Sequence, residues 1–294
     1  MAPVIGFCAF CGKRSELRDS HIIPACIVRY HKDTSPTGYL RTSDNPKQRK
    51  QDGPKLRLLC GRCEVDFSVW ENDYFQKLFL PFHANGAGTF DYRKWHLLCI
   101  SSITFRVIVS AIKRNDFNNI SPTRAALLDD CLRSHWAFLS GLTEHPGAFS
   151  VHLLPLDVID QTNFSVPSNF NRYLLRNLEQ RHYWTETTGH ILIKMCRFLY
   201  LVPIQDPQSE KIGRRIGVNK GTIMPGRFFC GQLVLQMLLE GARESAAFHG
   251  AIPQHQQEKI KAAIRSNPER YLKSEVVRGM RADLEHSQKR SQDP

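Results

Sequence analysis

The sequence predicts an α+β fold: a zinc-bound N-terminal module over residues 1–82, followed by a mixed helical and β-hairpin region over 83–294. Three observations predict it. Two Cys-x-x-Cys pairs, C-A-F-C at 8–11 and C-G-R-C at 60–63, supply four thiolates, the number that closes the tetrahedral shell of a structural zinc. From Leu58 to about residue 139 apolar residues recur every three or four positions; they then give way to strand-like runs and resume the helical period near the C-terminus. The resulting order, helix–helix–strands–helices without an internal repeat, is that of an α+β chain.

Composition sets the limits. A chain of 294 residues is long enough for one or two domains and a substantial core. With 41% hydrophobic and 23% charged residues it lies near the globular average, which excludes wholesale disorder. Forty basic side chains oppose 28 acidic ones, +12 with histidine neutral, an excess suited to nucleic acid or an anionic membrane surface. Of nine cysteines, Cys26, Cys99, Cys131, Cys196 and Cys230 lie outside the pairs, mostly within apolar runs, as reduced core thiols do. The start, M-A-P-V-I-G-F-C, lacks the basic and apolar regions of a secretory signal. The most apolar windows, Ile100–Ile112 and Ile191–Ile204, are broken by Arg106 and by Lys194 and Arg197, and are too short to span a bilayer. A soluble, cytoplasmic protein without membrane insertion is expected.

The elements follow in order. After the first cysteine pair, H-I-I-P-A-C-I-V reads as strand-like, and residues 31–57 as a long loop broken by Pro36, Gly38, Pro46, Gly53 and Pro54. Within that loop Lys47, Arg49 and Lys50 are candidate phosphate contacts for DNA, the alternative being a merely solvated surface. From Leu58 to Leu80 a stripe of Cys63, Phe67, Trp70, Tyr74 and Leu78 predicts a helix packed on the module, ended by Pro81 and the N-G-A-G at 85–88. Helical periodicity returns over Tyr92–Arg114. It does so again after Ser121-Pro122, a cap and first-turn proline, and Gly141 stops that helix. Phe149–Ile159, His182–Thr187, Ile191–Pro203 and Gly217–Ile223 read as strands, with Gly189 in the turn of a hairpin over Tyr183–Ile204. Asn169–Gln180, Phe228–Ala247, Pro253–Ile264 and Pro268–Gln288 read as helices, the last capped by Asn267 and charged like an exposed helix.

The chemistry centres on His21, which lies between the two cysteine pairs. A zinc closed by four thiolates has no open position for water. Hydrolysis would then need His21 as general base and a second, hard cation, magnesium or manganese, held by carboxylates. Asp19, Glu64 and Glu71 are the candidate ligands; Glu64 and Glu71 stand seven residues apart, about two helical turns, on one face. His21 and Glu64 are the catalytic candidates. The other role open to His21 is a hydrogen bond to a cysteine sulfur, and the other role open to the glutamates is a solvated helix face.

These residues resemble the HNH endonucleases, a family with a zinc-braced ββα-metal, treble-clef type of fold. C-A-F-C, S-H-I-I-P and L-L-C-G-R-C-E stand in the order of that family's frame, over Cys8–Glu71, roughly a quarter of the chain. The resemblance implies that Cys8, Cys11, Cys60 and Cys63 hold structural zinc. It implies that His21 takes the proton of the attacking water while a divalent ion steadies the scissile phosphate. Ser20 stands where that family most often carries an acidic or histidine metal ligand, and Glu64 where histidine or asparagine is common. The pattern C-E-x-x-F-S-x-x-E is also similar to HNH-like proteins of bacterial anti-phage defence, which implies double-stranded DNA and proteins of a defence system as partners. Two functions are therefore expected: a metal-dependent DNA endonuclease, or a non-catalytic zinc module that binds nucleic acid or protein. No helix-turn-helix signature marks the late helices as a transcription regulator.

Overall fold

Two short strands open the computed structural model, which describes residues 3–42, 45–84, 88–116, 120–159, 162, 164–205, 212–224 and 230–290. β1 (Ile5–Phe7) and β2 (Arg14–His21) are antiparallel, and β2 pairs in turn with β5 (Lys55–Cys60), giving the order β1-β2-β5. The turn between β1 and β2 carries the first cysteine pair. It closes because Gly12 adopts φ +69°, a conformation strained for side-chain-bearing residues, and donates its N–H to the Cys8 carbonyl at 2.9 Å.

The segment after His21 differs from the expectation. Pro24 ends the strand-like reading, because its fixed φ starts a helix, and the Ile27 and Val28 N–H groups donate to its carbonyl. α1 (Ala25–Asp33) follows, burying Ile27 and Val28. The expected long loop holds a hairpin, β3 (Leu40–Thr42) with β4 (Asn45–Lys50), in which the Arg49 guanidinium lies 4.4 Å from the Tyr39 ring centroid. Pro46 is tolerated there because a two-stranded ribbon is all edge.

α2 (Gly61–Tyr74) continues through a π-helical turn, Phe75–Phe79, into α3 (Leu80–Ala84). Pro81 does not stop it: the proline sits at the second position of α3, just beyond the π turn, where the regular hydrogen-bond ladder is already interrupted. Residues 85–87 of the N-G-A-G lie outside the described residues. β6 (Phe90–Arg93) leads into α4 (Lys94–Lys113), and α5 (Pro122–Leu139) packs beside it. Ser121 caps α5, its Oγ accepting from the Arg124 N–H at 3.4 Å, and Gly141 at φ +74° follows its end. α4 is, against the expectation, long and apolar enough to cross a membrane, with a mean hydropathy of 1.6, but 83% of that stretch is buried within the protein.

β7 (His152–Pro155), α6 (Phe170–Arg176), β8 (Leu178–Trp184), β9 (Gly189–Met195), β10 (Phe198–Gln205) and β11 (Arg214–Arg215) follow, and β12 (Lys220–Ile223) pairs with β6. The larger sheet is antiparallel throughout, in the order β11-β7-β10-β9-β8. Ile191–Pro203, read as one strand, is two. The chain reverses at Cys196–Arg197 with Cys196 at φ +54°, and no glycine or asparagine announces the turn. The wholly buried Lys194 helps to hold it, donating from Nζ to the carbonyls of Cys196 at 2.6 Å and Leu174 at 2.9 Å.

α7 (Gln232–Gly250), α8 (Gln254–Ser266), α9 (Pro268–Leu272) and α10 (Glu275–Arg290) complete the chain. Asn267 caps α9, but the last helix is not simply exposed. Gly279 of α10 packs against the Arg172 backbone, where an added Cβ would meet Cα at 2.8 Å. Asp283 accepts the Asn171 N–H at 2.7 Å and pairs with Arg172 at 3.0 Å.

The larger sheet is covered on both faces, which is why β9 and β10 read as unbroken apolar runs. Leu192, Leu199 and Leu201 pack with residues of α6 and α7. Ile191, Ile193, Phe198, Tyr200 and Val202 join one continuous core with α2, α4 and the cysteine pairs. That core crosses the boundary expected at residue 82, which falls inside α3, and Tyr74 shares a 2.9 Å hydrogen bond with Tyr200. Two arginines tie the later helices to the end of α1. Arg176 donates to the carbonyls of His31 and Thr34, and Arg270 to those of Lys32, Asp33 and Ser35.

Candidate metal centre and the adjoining His21–Asp52 pair

The cysteine pairs meet because β1–β2 and β5–α2 each end in a tight turn against the other. The Ala9 N–H donates to the Leu58 carbonyl at 2.9 Å, and the Cys60 N–H to the Cys8 sulfur at 3.3 Å. Cys60 immediately precedes α2 and Cys63 lies in its first turn. The four Sγ atoms all lie within 4.8 Å of one another, and Cys11 and Cys60 are 3.9 Å apart. Zinc–sulfur bonds of about 2.3 Å in a tetrahedron place sulfurs about 3.8 Å apart, so the donor set fits zinc in both chemistry and size. Among the described residues this is the one group of three or more His, Cys, Asp or Glu side chains able to hold a metal ion.

Cys8, Cys60 and Cys63 are buried and Cys11 is exposed, so the centre opens to solvent at one corner. Burial pushes the Cys63 thiol up. For Cys60 burial acts in the same direction, but the Cys63 backbone N–H and neighbouring thiols outweigh it and draw the group down to about 7. The knuckle is also fixed from outside. Trp136 of α5 donates its indole N–H to the Phe10 carbonyl at 2.8 Å, and the Phe10 ring stands edge-on to Phe67 and Phe105.

β2 then distributes the candidate catalytic residues to two sides, because successive strand residues point oppositely. Ser20 is wholly buried; its hydroxyl donates to the Glu64 carboxylate and accepts the Leu59 N–H at 3.2 Å. The residue that departs from the HNH pattern thus faces the first turn of α2 and holds Glu64. His21, with 18% of its side chain exposed, pairs through Nε2 with Asp52 Oδ1 at 2.7 Å. Asp52 also meets Lys55 at 2.5 Å and the Gly53 N–H at 2.9 Å. Partial burial acts upward on Asp52, yet Lys55, His21 and Gly53 hold its carboxyl well below the usual carboxylate range. Among the described residues no hydrogen bond occupies His21 Nδ1.

The other candidates are differently engaged. Asp19 pairs with Arg57 at 2.9 Å on the more exposed side of β2. Glu71 meets the buried guanidinium of Arg106, which also donates to the His21 carbonyl. Asp19 and Glu71 therefore each already face a cation, and the three carboxylates named from sequence do not gather as a ligand set. Lys47 and Arg49 are exposed on β4 and Lys50 is half-buried. Sequence reasoning missed Asp52 and Arg106. Asp52 stood in the D-G-P of a loop, where aspartate needs no partner to be expected. Arg106 carried a signal that was legible, a single cation inside an apolar helix, which demands a buried anion. No protein-family model, no curated protein and no solved structure matches this chain.

Proposed function

We propose that the chain is a metal-dependent endonuclease hydrolysing phosphodiester bonds in DNA, with His21 as general base. The observation that carries this reading is the His21–Asp52 pair at 2.7 Å beside the four-cysteine cluster. A carboxylate on Nε2 fixes ring and tautomer, leaving Nδ1 to take a proton from water, and it stabilises the imidazolium that results. Arg106 holds the backbone at the same residue. The four cysteines brace strands and helix without an open metal position.

Glu64, fixed by Ser20, would hold magnesium or manganese, with phosphate oxygens and water completing the shell as is usual for magnesium. When bound, such an ion neutralises charge on the scissile phosphate and leaving oxygen. The negative carboxylate in the first turn of α2 also faces the favourable end of the helix dipole. Lys47, Arg49 and Lys50 supply duplex contacts in this reading, and a place in anti-phage defence with partner proteins follows from the resemblance alone.

The test is plasmid nicking with magnesium or manganese by the chain and by His21→Ala, with zinc content and folding measured on both. Loss of a general base costs ~10²–10⁴ in rate. Glu64→Ala is expected to raise the metal concentration required. Full cleavage by a folded His21→Ala variant removes catalysis from the N-terminal module; no cleavage by the folded, zinc-loaded, unaltered chain assigns it to a second reading, a non-catalytic zinc module that binds nucleic acid or a protein. The engagement of Glu71 by Arg106 and of Asp19 by Arg57, and the placement of Ser20 with Glu64 across β2 from His21, favour that second reading.

A further inference from the structure

The ribbon of β6 and β12 carries an arrangement that intramolecular energetics does not account for. The two strands are antiparallel with Arg93 directly opposite Lys220 and Asp91 opposite Thr222, so all four share one face; Tyr92, on the other, is buried. Like charges directly opposite are destabilising. The only acidic side chain on that face, Asp91, accepts the Thr222 hydroxyl at 2.7 Å. Arg214 extends the patch, donating from Nη1 to the Thr222 carbonyl at 3.2 Å, and Arg215 follows it on β11. Lys94 adds a further exposed cation where β6 passes into α4. Arg93, Lys94, Arg214, Arg215 and Lys220 are all exposed, and none takes part in an ion pair among the described residues. In this they differ from Arg57, Arg133, Lys261 and Arg278, each of which has a carboxylate partner.

We propose that this ribbon is a second nucleic-acid contact surface, which takes the phosphate backbone of a duplex without reading its bases. The choice of partner rests on the nucleic-acid reading above; it does not depend on His21 being catalytic. A phosphate seated between Arg93 and Lys220 converts their repulsion into two attractions, and each neutralised phosphate releases condensed counterions. Five exposed cations stand here against one exposed amide, Asn219, and one carboxylate, Asp91, a balance that suits backbone contact. Helical rise puts about 18 Å between Lys94 and Arg106 along α4, roughly five base-pair steps, so a short duplex is long enough to run from the ribbon to the level of His21.

The experiment measures binding of a fluorescent 30-mer duplex across a salt series. It uses the chain, the triple variant Arg93→Gln/Arg215→Gln/Lys220→Gln, and the arm variant Lys47→Gln/Arg49→Gln/Lys50→Gln. The triple variant is expected to bind about 10- to 100-fold more weakly near 150 mM salt, with the slope of log affinity against log salt reduced by up to about 2.7. Its thermal stability is expected to hold or rise. Should the triple variant not fold, Lys220→Gln alone is expected to lose about fivefold. Affinity and slope equal to those of the unaltered chain overturn this surface and leave the nucleic-acid reading standing on the arm. No binding by the unaltered chain at low salt overturns both. Vesicles containing phosphatidylserine form the remaining arm: a loss of vesicle binding without a loss of duplex binding makes the ribbon a membrane surface and overturns the proposal.

Discussion

Arg106 of α4 donates from Nη1 to the backbone carbonyl of His21 at 2.7 Å. The same guanidinium meets the Glu71 carboxylate, receives Phe67 against its face at 5.9 Å, and is only 2% exposed. A core helix, the sheet beside the four-cysteine cluster and the helix after it are thus joined at one side chain. Removing one member of a buried ion pair leaves the other charge uncompensated, at a cost of about 3–5 kcal/mol. Arg106→Met is therefore expected to lose that much in urea unfolding. Arg106→Met with Glu71→Met should recover more than half of it. Cleavage, if the chain is a nuclease, should not return with stability, because the His21 carbonyl has lost its donor. A single variant that costs less than 1 kcal/mol would show that the pair does not hold these elements together.

Metal content gives the second prediction. One zinc per chain is expected in freshly purified protein, and Cys60→Ser or Cys63→Ser should lose it together with the circular dichroism of the N-terminal elements. The loss should extend further than a separate module would allow, since Cys8, Cys60 and Cys63 belong to the same core as Ile193 and Tyr200. Less than about half a zinc per chain by atomic emission would count against the metal centre itself.

Asp52→Asn separates orientation from proton transfer. The amide keeps the size of Asp52 and a hydrogen bond to His21 but not the charge that stabilises an imidazolium. Zinc and folding should be unchanged, and nicking should fall by less than in His21→Ala, by about 10- to 100-fold. Equal activity of Asp52→Asn and the unaltered chain would remove Asp52 from the mechanism.

Acid stability follows from four desolvated histidines. Burial lowers His83, His96 and His135 to about 3, from an ordinary value of 6.5, and burial with the nearby Arg176 and Lys194 holds His31 well below it. Folded, they stay neutral well below that value; unfolded, they bind protons below 6.5. The unfolded state therefore binds more protons between pH 6.5 and 3, and stability contributed by these groups is present above 6.5 and lost as pH falls. The slope is about 1.4 kcal/mol per pH unit for each group. Urea midpoints are expected to drop steadily from pH 7 to 5. His135→Phe, which removes a ring with no side-chain partner, should flatten that drop by about a quarter. An unchanged midpoint over that range would show that the histidines are not held neutral.

The candidate metal centre was legible because four thiolates at fixed spacing leave few other uses, and Ser121 and Gly141 because caps act locally. Elements settled by distant contacts were not. Pro24 was read with the apolar residues around it as strand, although its ring starts α1; the arginines that secure the other end of α1 lie more than a hundred residues away. The reversal at Cys196 has no turn residue, and Lys194 supplies the tie from inside the core. α10 looked solvent-facing by its charges, yet Asp283 is spent on the backbone of α6. The partner of His21 was hidden because Asp52 is 31 positions away, in a stretch whose glycine and proline suggested only a loop.

The arginine ties at the end of α1 have an evolutionary consequence. α1 begins four residues after His21, and its final carbonyls are satisfied by Arg176 and Arg270, from elements made much later in the chain. An N-terminal fragment emerging from the ribosome can assemble its cysteines but leaves those carbonyls to water. The first quarter of the chain, moved into another protein, would therefore leave behind the two side chains that complete α1. It reaches its finished form only when the last helices have been translated.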